Sequence, residues 1–121
     1  MTLSILTVDD SRTMRDMLRI ALTSAGMNVQ QAEDGVHGLE VLSGFRPNVI
    51  VTDINMPRMD GFGFIEAVRA QSAYNNVPIL VLTTESGQAL KDRARSSGAT
   101  GWIVKPFEPE KLVSAIRRVA A

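Results

Sequence analysis

The sequence predicts an α/β protein with a doubly wound, five-stranded parallel sheet and five helices. Short apolar runs alternate along the chain with stretches in which apolar residues recur every three or four positions. Two of the runs, residues 49–51 and 79–82, are continuously apolar, which is typical of strands covered on both faces. Every connection is short, as in right-handed βαβ units. The 121 residues fit one domain that spans residues 1–121.

The first strand and helix illustrate the pattern. Residues 3–8 form a short apolar run that predicts a strand. Residues 12–25 carry apolar side chains at the spacing of a helix that packs by one face. Ser11 precedes them as a suitable N-cap, and Gly26 follows where helices commonly end.

The remaining elements follow from the same reasoning. Strands are predicted at residues 27–31, 49–51, 79–82 and 102–104, and helices at residues 35–43, 62–70 and 88–97 and from Pro109 onward. The second strand alternates apolar and polar residues, which favours an edge of the sheet. The fourth helix is poor in large apolar residues, so we expect it to pack loosely.

Charge and composition exclude several classes of protein. The 13 basic and 13 acidic residues give a formal net charge of zero, which argues against non-specific nucleic-acid binding. The chain has no cysteine, so disulfides and thiolate metal sites are excluded. No apolar stretch approaches the roughly 20 residues of a membrane span, and the N-terminus lacks the basic region of a signal peptide. We therefore expect a cytoplasmic monomer without membrane insertion.

Polar side chains gather where the predicted strands end. Asp9 and Asp10 follow the first strand, Asp53 follows the third, Thr83 follows the fourth and Lys105 follows the fifth. Ligands of open parallel sheets bind outside the carboxyl ends of the strands. We therefore expect these five side chains to meet in one crevice.

The chemistry of that crevice points to a phosphoryl group and a metal ion. Three neighbouring carboxylates repel one another unless a cation joins them. Because the ligands on offer are hard oxygens, Mg²⁺ is favoured. Lys105 adds a positive charge for an anionic ligand, and Asp53 lies between it and the other carboxylates. Asp53 is therefore the predicted phosphoryl acceptor, since carboxylates form aspartyl-phosphates in other proteins.

These residues also carry a family resemblance. The chain resembles the response-regulator receiver domain, and within that family the stand-alone chemotaxis regulators. The resemblance covers essentially the whole chain and rests on Val8-Asp9-Asp10-Ser11, residues 51–61, Leu82-Thr83-Thr84 and Lys105-Pro106-Phe107. It implies a flavodoxin-like sheet with strand order 2-1-3-4-5, an order that the hydrophobic pattern alone does not fix.

The resemblance implies a division of roles at the metal. Asp10 and Asp53 would bind Mg²⁺ directly, together with the backbone carbonyl of Asn55. Asp9 would act mostly through water. The phosphoryl donor would be a histidine kinase of the chemotaxis type.

It also implies how the phosphoryl group is held and sensed. Thr83 and Lys105 would each contact a phosphoryl oxygen, and the Lys105–Pro106 peptide bond would be cis. Trp102 occupies the position of a family aromatic, commonly Tyr or Phe, that turns inward on activation. We expect Trp102 to shift in concert with Thr83, the alternative being a static, half-buried edge-strand residue.

The expected output is docking on another protein. The chain ends at Ala121, directly after the fifth helix, so no attached effector is expected. The resemblance implies a docking face on the fourth helix, fifth strand and fifth helix, and a flagellar motor switch protein as the target. A phosphate sink and an intermediate carrier that passes the group to a phosphorelay partner are the alternatives.

Two other classes of function fit the sequence less well than this switch. A flavin- or nucleotide-binding module would not place two aspartates after its first strand, because they repel phosphate. A phosphatase with an aspartyl nucleophile would need a second acid where Asn55 stands, and a cap domain. We therefore expect no turnover of other substrates: the protein would promote only its own phosphoryl transfer and dephosphorylation.

Overall fold

One parallel sheet of five strands organises the computed structural model, which describes residues 2–121. The strands are β1 (Ser4–Val8), β2 (Asn28–Ala32), β3 (Val49–Thr52), β4 (Ile79–Thr83) and β5 (Gly101–Val104). The helices are α1 (Arg12–Ser24), α2 (Gly35–Leu42), α3 (Gly61–Arg69), α4 (Gln88–Ser97) and α5 (Pro109–Ala120). The strand order is β2-β1-β3-β4-β5, which confirms the flavodoxin-like topology.

The burial of each strand agrees with its predicted place. β3 and β4 are buried along their whole length in the middle of the sheet, as their continuously apolar sequences predict. β2 alternates between more and less exposed residues and lies at one edge. β5, at the other edge, is only partly buried. The predicted positions are correct, and their boundaries differ from the observed ones by at most one residue.

Helix ends explain part of those differences. The Ser11 side chain accepts a hydrogen bond from the amide of Met14, so Ser11 is the N-cap that the sequence predicts for α1. α3 begins one residue earlier than predicted, at Gly61, because the side chain of Asp60 caps it and accepts from the amide of Gly63. Such capping satisfies amides that have no partner within the helix.

The helices form two layers, one on each face of the sheet. α2, α3 and α4 contribute Leu42, Phe64 and Ala94 to one core, and α1 and α5 contribute Leu22 and Ile116 to the other. This is the doubly wound arrangement. α4 buries Ala94, a small side chain, in agreement with its weak apolar stripe.

Arginine side chains attach α4 to α3. Arg69 donates from Nε to the carbonyl of Gly98, which ends α4, at 2.9 Å. The guanidinium of Arg93 lies over the ring of Phe62, 4.0 Å from its centroid. At its other end α4 begins after Gly87, which offers no side-chain cap. The N-terminal end of α4 is therefore held less firmly than its C-terminal end.

Two further features bear on the sequence predictions. The Lys105–Pro106 peptide bond is cis, as the family resemblance implied. Within residues 2–121, no helix is both long enough and apolar enough to cross a membrane.

Candidate functional site

The carboxyl edge of the sheet brings Asp9, Asp53 and Lys105 into direct contact. In the register of β1 and β3, Val8 lies opposite Thr52, so the residues that follow them emerge side by side. Lys105 leaves β5, two strands away from β3, and its long side chain crosses the end of β4. The Lys105 Nζ lies 2.8 Å from Asp9 Oδ2 and 2.8 Å from Asp53 Oδ2.

Backbone amides hold the other oxygen of each carboxylate. Asp9 Oδ1 accepts from the amide of Ser11 at 2.9 Å, and Asp53 Oδ1 accepts from the amide of Ile54 at 2.6 Å. Asp9 is 1% exposed and Asp53 is 8% exposed, so little water reaches either residue. Both carboxylates are therefore fixed in place by the fold.

Burial and pairing act in opposite directions on the charges of this site. Burial raises the pKa of Asp9, and the hydrogen bonds from Lys105 and Ser11 offset that rise only in part. Burial also disfavours the charged form of Lys105, but its hydrogen bonds to Asp53 and Asp9 outweigh burial and raise its pKa. Lys105 is accordingly a permanent cation at physiological pH.

Three carboxylates lie close enough to share one cation. Asp9, Asp10 and Asp53 each offer an oxygen, and these oxygens all lie within 4.8 Å of one another. Ligands at about 2.1 Å from Mg²⁺ lie about 3 Å apart when adjacent and about 4 Å apart when opposite. The predicted cluster is confirmed, and its carboxylate oxygens are donors of the type that Mg²⁺ prefers.

The three carboxylates differ in what they already contact. Asp9 and Asp53 are engaged by Lys105, whereas Asp10 is exposed to solvent. The sequence prediction assigned Lys105 to an anionic ligand and overlooked its pairing with both buried carboxylates. Its position after β5 was the available signal, because a lysine there can reach the ends of β3 and β1.

Asn55 and Glu85 connect two loops beside the carboxylates. Asn55 lies in the loop between β3 and α3 and is exposed, and its Nδ2 donates to Glu85 Oε1 at 3.3 Å. Glu85 belongs to the loop between β4 and α4. The predicted role of the Asn55 carbonyl as a metal ligand remains a prediction.

Thr83 and Trp102 both contact the backbone of Glu85. Thr83 is fully buried at the end of β4, and its Oγ1 lies 3.5 Å from the amide nitrogen of Glu85, at the long limit of a hydrogen bond. Trp102 is half-buried on β5, and its Nε1 donates to the carbonyl of Glu85 at 3.0 Å. A buried indole needs such an acceptor, but the sequence did not show which one.

An ion pair that the sequence analysis missed lies beside this site. Asp34, between β2 and α2, is buried and accepts from Arg58 Nε at 2.8 Å and from Arg58 Nη2 at 3.1 Å. Arg58 belongs to the same β3–α3 loop as Asn55. An acidic residue just after β2 was the available signal, since β2 ends at the same edge of the sheet as β1 and β3.

A comparison with protein families identifies the arrangement. The model of the response regulator receiver domain matches residues 5–117. The chain belongs to the response regulator receiver family. This receiver superposes on the chemotaxis response regulator CheY4 of Vibrio cholerae with a TM-score of 0.93 and 45% identity, over 98% of this chain and 99% of that one. It is also 39% identical over 119 residues to a chemotaxis protein CheY homolog of Campylobacter jejuni, covering 97% of this chain and 92% of the relative.

A third relative bears on the metal. The receiver domain of a sensor histidine kinase from Pseudomonas aeruginosa superposes with a TM-score of 0.91 and 26% identity, over 99% of this receiver and 98% of that chain. That structure has a magnesium ion coordinated in its active-site cleft. The chain is thus a receiver domain similar to stand-alone chemotaxis regulators. Receiver domains generally take a phosphoryl group from a kinase and bind Mg²⁺ at an acidic pocket.

Proposed function

We propose that this receiver accepts a phosphoryl group on Asp53 from a histidine kinase of the chemotaxis type. The observation that carries the proposal is the pairing of the Asp53 carboxylate with Lys105 at 2.8 Å, beside the carboxylates of Asp9 and Asp10. Asp53 combines a fixed orientation, a neighbouring permanent cation and a shared cation site. Family membership favours this phosphorylation switch over a flavin-binding module.

The transfer step needs little from the protein beyond position and charge. A carboxylate oxygen of Asp53 attacks the phosphorus of the kinase's phosphohistidine, the P–N bond breaks, and the imidazole nitrogen keeps the electron pair and takes a proton. Lys105 lies where it can neutralise charge on the phosphoryl oxygens. Water later attacks the phosphorus, which releases inorganic phosphate and restores the Asp53 carboxylate.

Mg²⁺, when bound, supplies additional positive charge for the phosphoryl oxygens. Asp10 and Asp53 would hold it directly with the carbonyl of Asn55, and Asp9 would act through water. Both oxygens of Asp9 and both oxygens of Asp53 already accept hydrogen bonds, so these contacts do not distinguish the two carboxylates. Asp10 is exposed and thus available to an incoming ion.

The shared contact with Glu85 suggests how phosphorylation reaches the surface. The Thr83 hydroxyl makes only a long contact with the Glu85 amide, at 3.5 Å, so it can turn toward a phosphoryl oxygen with little loss. Trp102 is bonded to the carbonyl of the same residue. Movement of the β4–α4 loop would therefore change the position of Trp102.

The output face would be α4, β5 and α5, and the target a flagellar motor switch protein. A groove of about 180 Å³ lies between α4 and β5 and includes Lys91, Arg95 and Trp102 in its lining. Two basic side chains beside an indole suit an acidic peptide with an apolar anchor. The chemotaxis names of the relatives support this target, and we place the protein in the cytoplasm as a monomer.

Phosphotransfer from a purified chemotaxis kinase tests the donor, and a pull-down tests the target. Radiolabel should pass from the kinase to wild-type protein and not to Asp53→Asn. Beryllofluoride, a mimic of the phosphoryl group, should increase capture by the motor switch protein, and Trp102→Ala should reduce that increase. Capture that is equal with and without beryllofluoride would contradict the motor role and favour a phosphate sink or a relay carrier.

A further inference from the structure

Arg58 has an unusual backbone conformation. Among residues 2–121 it is the non-glycine residue with a positive φ, +64°. The left-handed region is disfavoured for residues with a Cβ and is populated mostly by glycine and asparagine. Something in the surrounding structure must therefore hold this residue in place.

The side chain of Arg58 supplies that restraint. Its Nε lies 2.8 Å from Asp34 Oδ2, and its Nη2 lies 3.1 Å from Asp34 Oδ1. The Asp34 side chain is 3% exposed, although that of Arg58 is 53% exposed. Two parallel hydrogen bonds to a planar guanidinium fix direction as well as distance, which a single ion contact does not.

Backbone contacts reinforce the same attachment. The amide of Gly35, which starts α2, donates to the carbonyl of Met59 at 3.2 Å. A Cβ at Gly35 would lie 2.7 Å from Met59 Cγ, so the start of α2 and the β3–α3 loop approach each other as closely as a glycine allows. The far end of the loop is closed by a 2.8 Å bond from the amide of Gly61 to the carbonyl of Ile54. The β3–α3 loop is thus hydrogen-bonded to the start of α2 through Met59 and is closed by the bond between Gly61 and Ile54.

We propose that Arg58 is a positioning residue for the cation site. The inference rests on the proposed function, in which the carbonyl of Asn55 is a metal ligand. Arg58 follows Asn55 by three positions, and the intervening Pro57 has a fixed φ that limits how the loop can relax. The Arg58–Asp34 fork therefore sets the orientation of the Asn55 carbonyl before the metal arrives.

If the Arg58–Asp34 pair had a purely structural role, it would stabilise α2 without affecting the cation site. Asp34 is also the N-cap of α2, and its Oδ1 accepts from the amide of His37 at 2.9 Å. Substitutions at Arg58 separate the two roles, since they leave that cap in place. Arg58→Asn suits the left-handed backbone but removes the fork, and Arg58→Lys keeps the charge but cannot form two parallel bonds.

The test is Mg²⁺ binding to the full chain by calorimetry, combined with amide hydrogen exchange in metal-free buffer. Arg58→Asn should weaken Mg²⁺ affinity by about tenfold, the typical effect of losing a residue that orients a ligand. Arg58→Lys should behave similarly. Exchange of the Gly35 and Gly61 amides should accelerate in Arg58→Asn. The control Arg46→Asn loses the same charge from the exposed α2–β3 loop at the opposite edge and should match wild type.

The outcomes separate this inference from the proposed function. Wild-type Mg²⁺ affinity in Arg58→Asn, in a protein that binds Mg²⁺ and is phosphorylated normally, overturns the positioning role alone. Faster exchange at Gly35 with unchanged Mg²⁺ affinity also overturns it, because the fork would then serve only α2. A wild-type protein that does not bind Mg²⁺ overturns both claims.

Discussion

Lys105 and Asp53 form an ion pair of 2.8 Å across the carboxyl edge of the sheet, and the same ammonium lies 2.8 Å from Asp9. The lysine side chain is 10% exposed. Three clustered carboxylates would repel one another strongly if no cation were near. Lys105 supplies part of that neutralisation, so the metal-free fold carries less strain than the sequence alone suggests.

Removal of Lys105 should destabilise the protein, and Mg²⁺ should offset the loss. Lys105→Met leaves Asp9 and Asp53 buried without their shared partner. We expect a loss of about 1–3 kcal/mol in the free energy of unfolding, below the usual cost of an orphaned buried charge because the carboxyl groups can take up a proton. Urea unfolding with and without Mg²⁺ measures both effects.

Lys111→Met is the control for that substitution. Lys111 pairs with Glu108 at 3.5 Å, but the two side chains are 79% and 69% exposed, so the pair contributes little. Equal destabilisation by the two substitutions would contradict the structural role of Lys105.

Mg²⁺ should stabilise the wild-type protein through Asp10. A ligand at ten times its dissociation constant adds about 1.4 kcal/mol to the free energy of unfolding. Asp10→Ala should abolish this gain and leave the metal-free protein at least as stable, since the exposed Asp10 only adds repulsion there. Thermal unfolding over a MgCl₂ series measures the gain. The control Asp16→Ala removes an exposed carboxylate from α1 and should retain the full stabilisation by Mg²⁺.

The Asp34–Arg58 pair should give the fold a defined dependence on pH. The hydrogen bond from Arg58, aided by the amide of His37, holds the pKa of Asp34 below its usual 3.8 despite burial of the carboxylate. Its contribution to stability is therefore complete above pH 3.8 and is lost as the pH falls through the lower, folded-state value. The pKa of Asp9 is raised, so Asp9 changes the free energy of unfolding with pH in the opposite direction. This effect is the same in two proteins that differ only at Arg58 and cancels when they are compared.

A comparison of wild type with Arg58→Asn isolates that contribution. The difference between their free energies of unfolding should be constant above about pH 5 and should shrink as the pH falls through 3.8 toward the lower folded-state pKa of Asp34. Urea unfolding at a series of pH values measures it. A difference that stays constant down to pH 3 would show that the charge of Asp34 does not stabilise the loop.

Trp102 should report phosphorylation through Glu85. Beryllofluoride should shift the emission maximum of Trp102, the single tryptophan of the chain, and reduce its quenching by acrylamide. Thr83→Ala removes the hydroxyl 3.5 Å from the Glu85 amide and should uncouple the shift without preventing phosphorylation. Emission and quenching that do not change on full modification would identify Trp102 as a static residue, held by its 3.0 Å bond to Glu85.

The sequence predicted the parts of the site that depend on topology. Asp9, Asp53 and Lys105 follow strands that are recognisable from their apolar runs, and the ends of parallel strands meet at one edge. The order of the strands came from the family resemblance, because hydrophobic periodicity shows which strands are covered but not which are neighbours.

The parts that depend on loop conformation could not be predicted. The Arg58–Asp34 pair requires a left-handed backbone at Arg58, which no residue pattern indicates. The acceptor of the Trp102 indole is a backbone carbonyl of the β4–α4 loop, and every residue carries such a carbonyl. The double pairing of Lys105 depends on the path of a long side chain, which composition does not specify.

The most direct test of the account is the intact mass of the protein after incubation with acetyl phosphate and Mg²⁺. Wild-type protein should gain one phosphoryl group, and it should gain none when a chelator removes the metal. Asp53→Asn should remain unmodified while staying folded, because the asparagine oxygen can still accept from the amide of Ile54. Phosphoryl uptake by Asp53→Asn, or undiminished uptake by wild type in chelator, would contradict the assignment of Asp53 as the Mg²⁺-dependent acceptor.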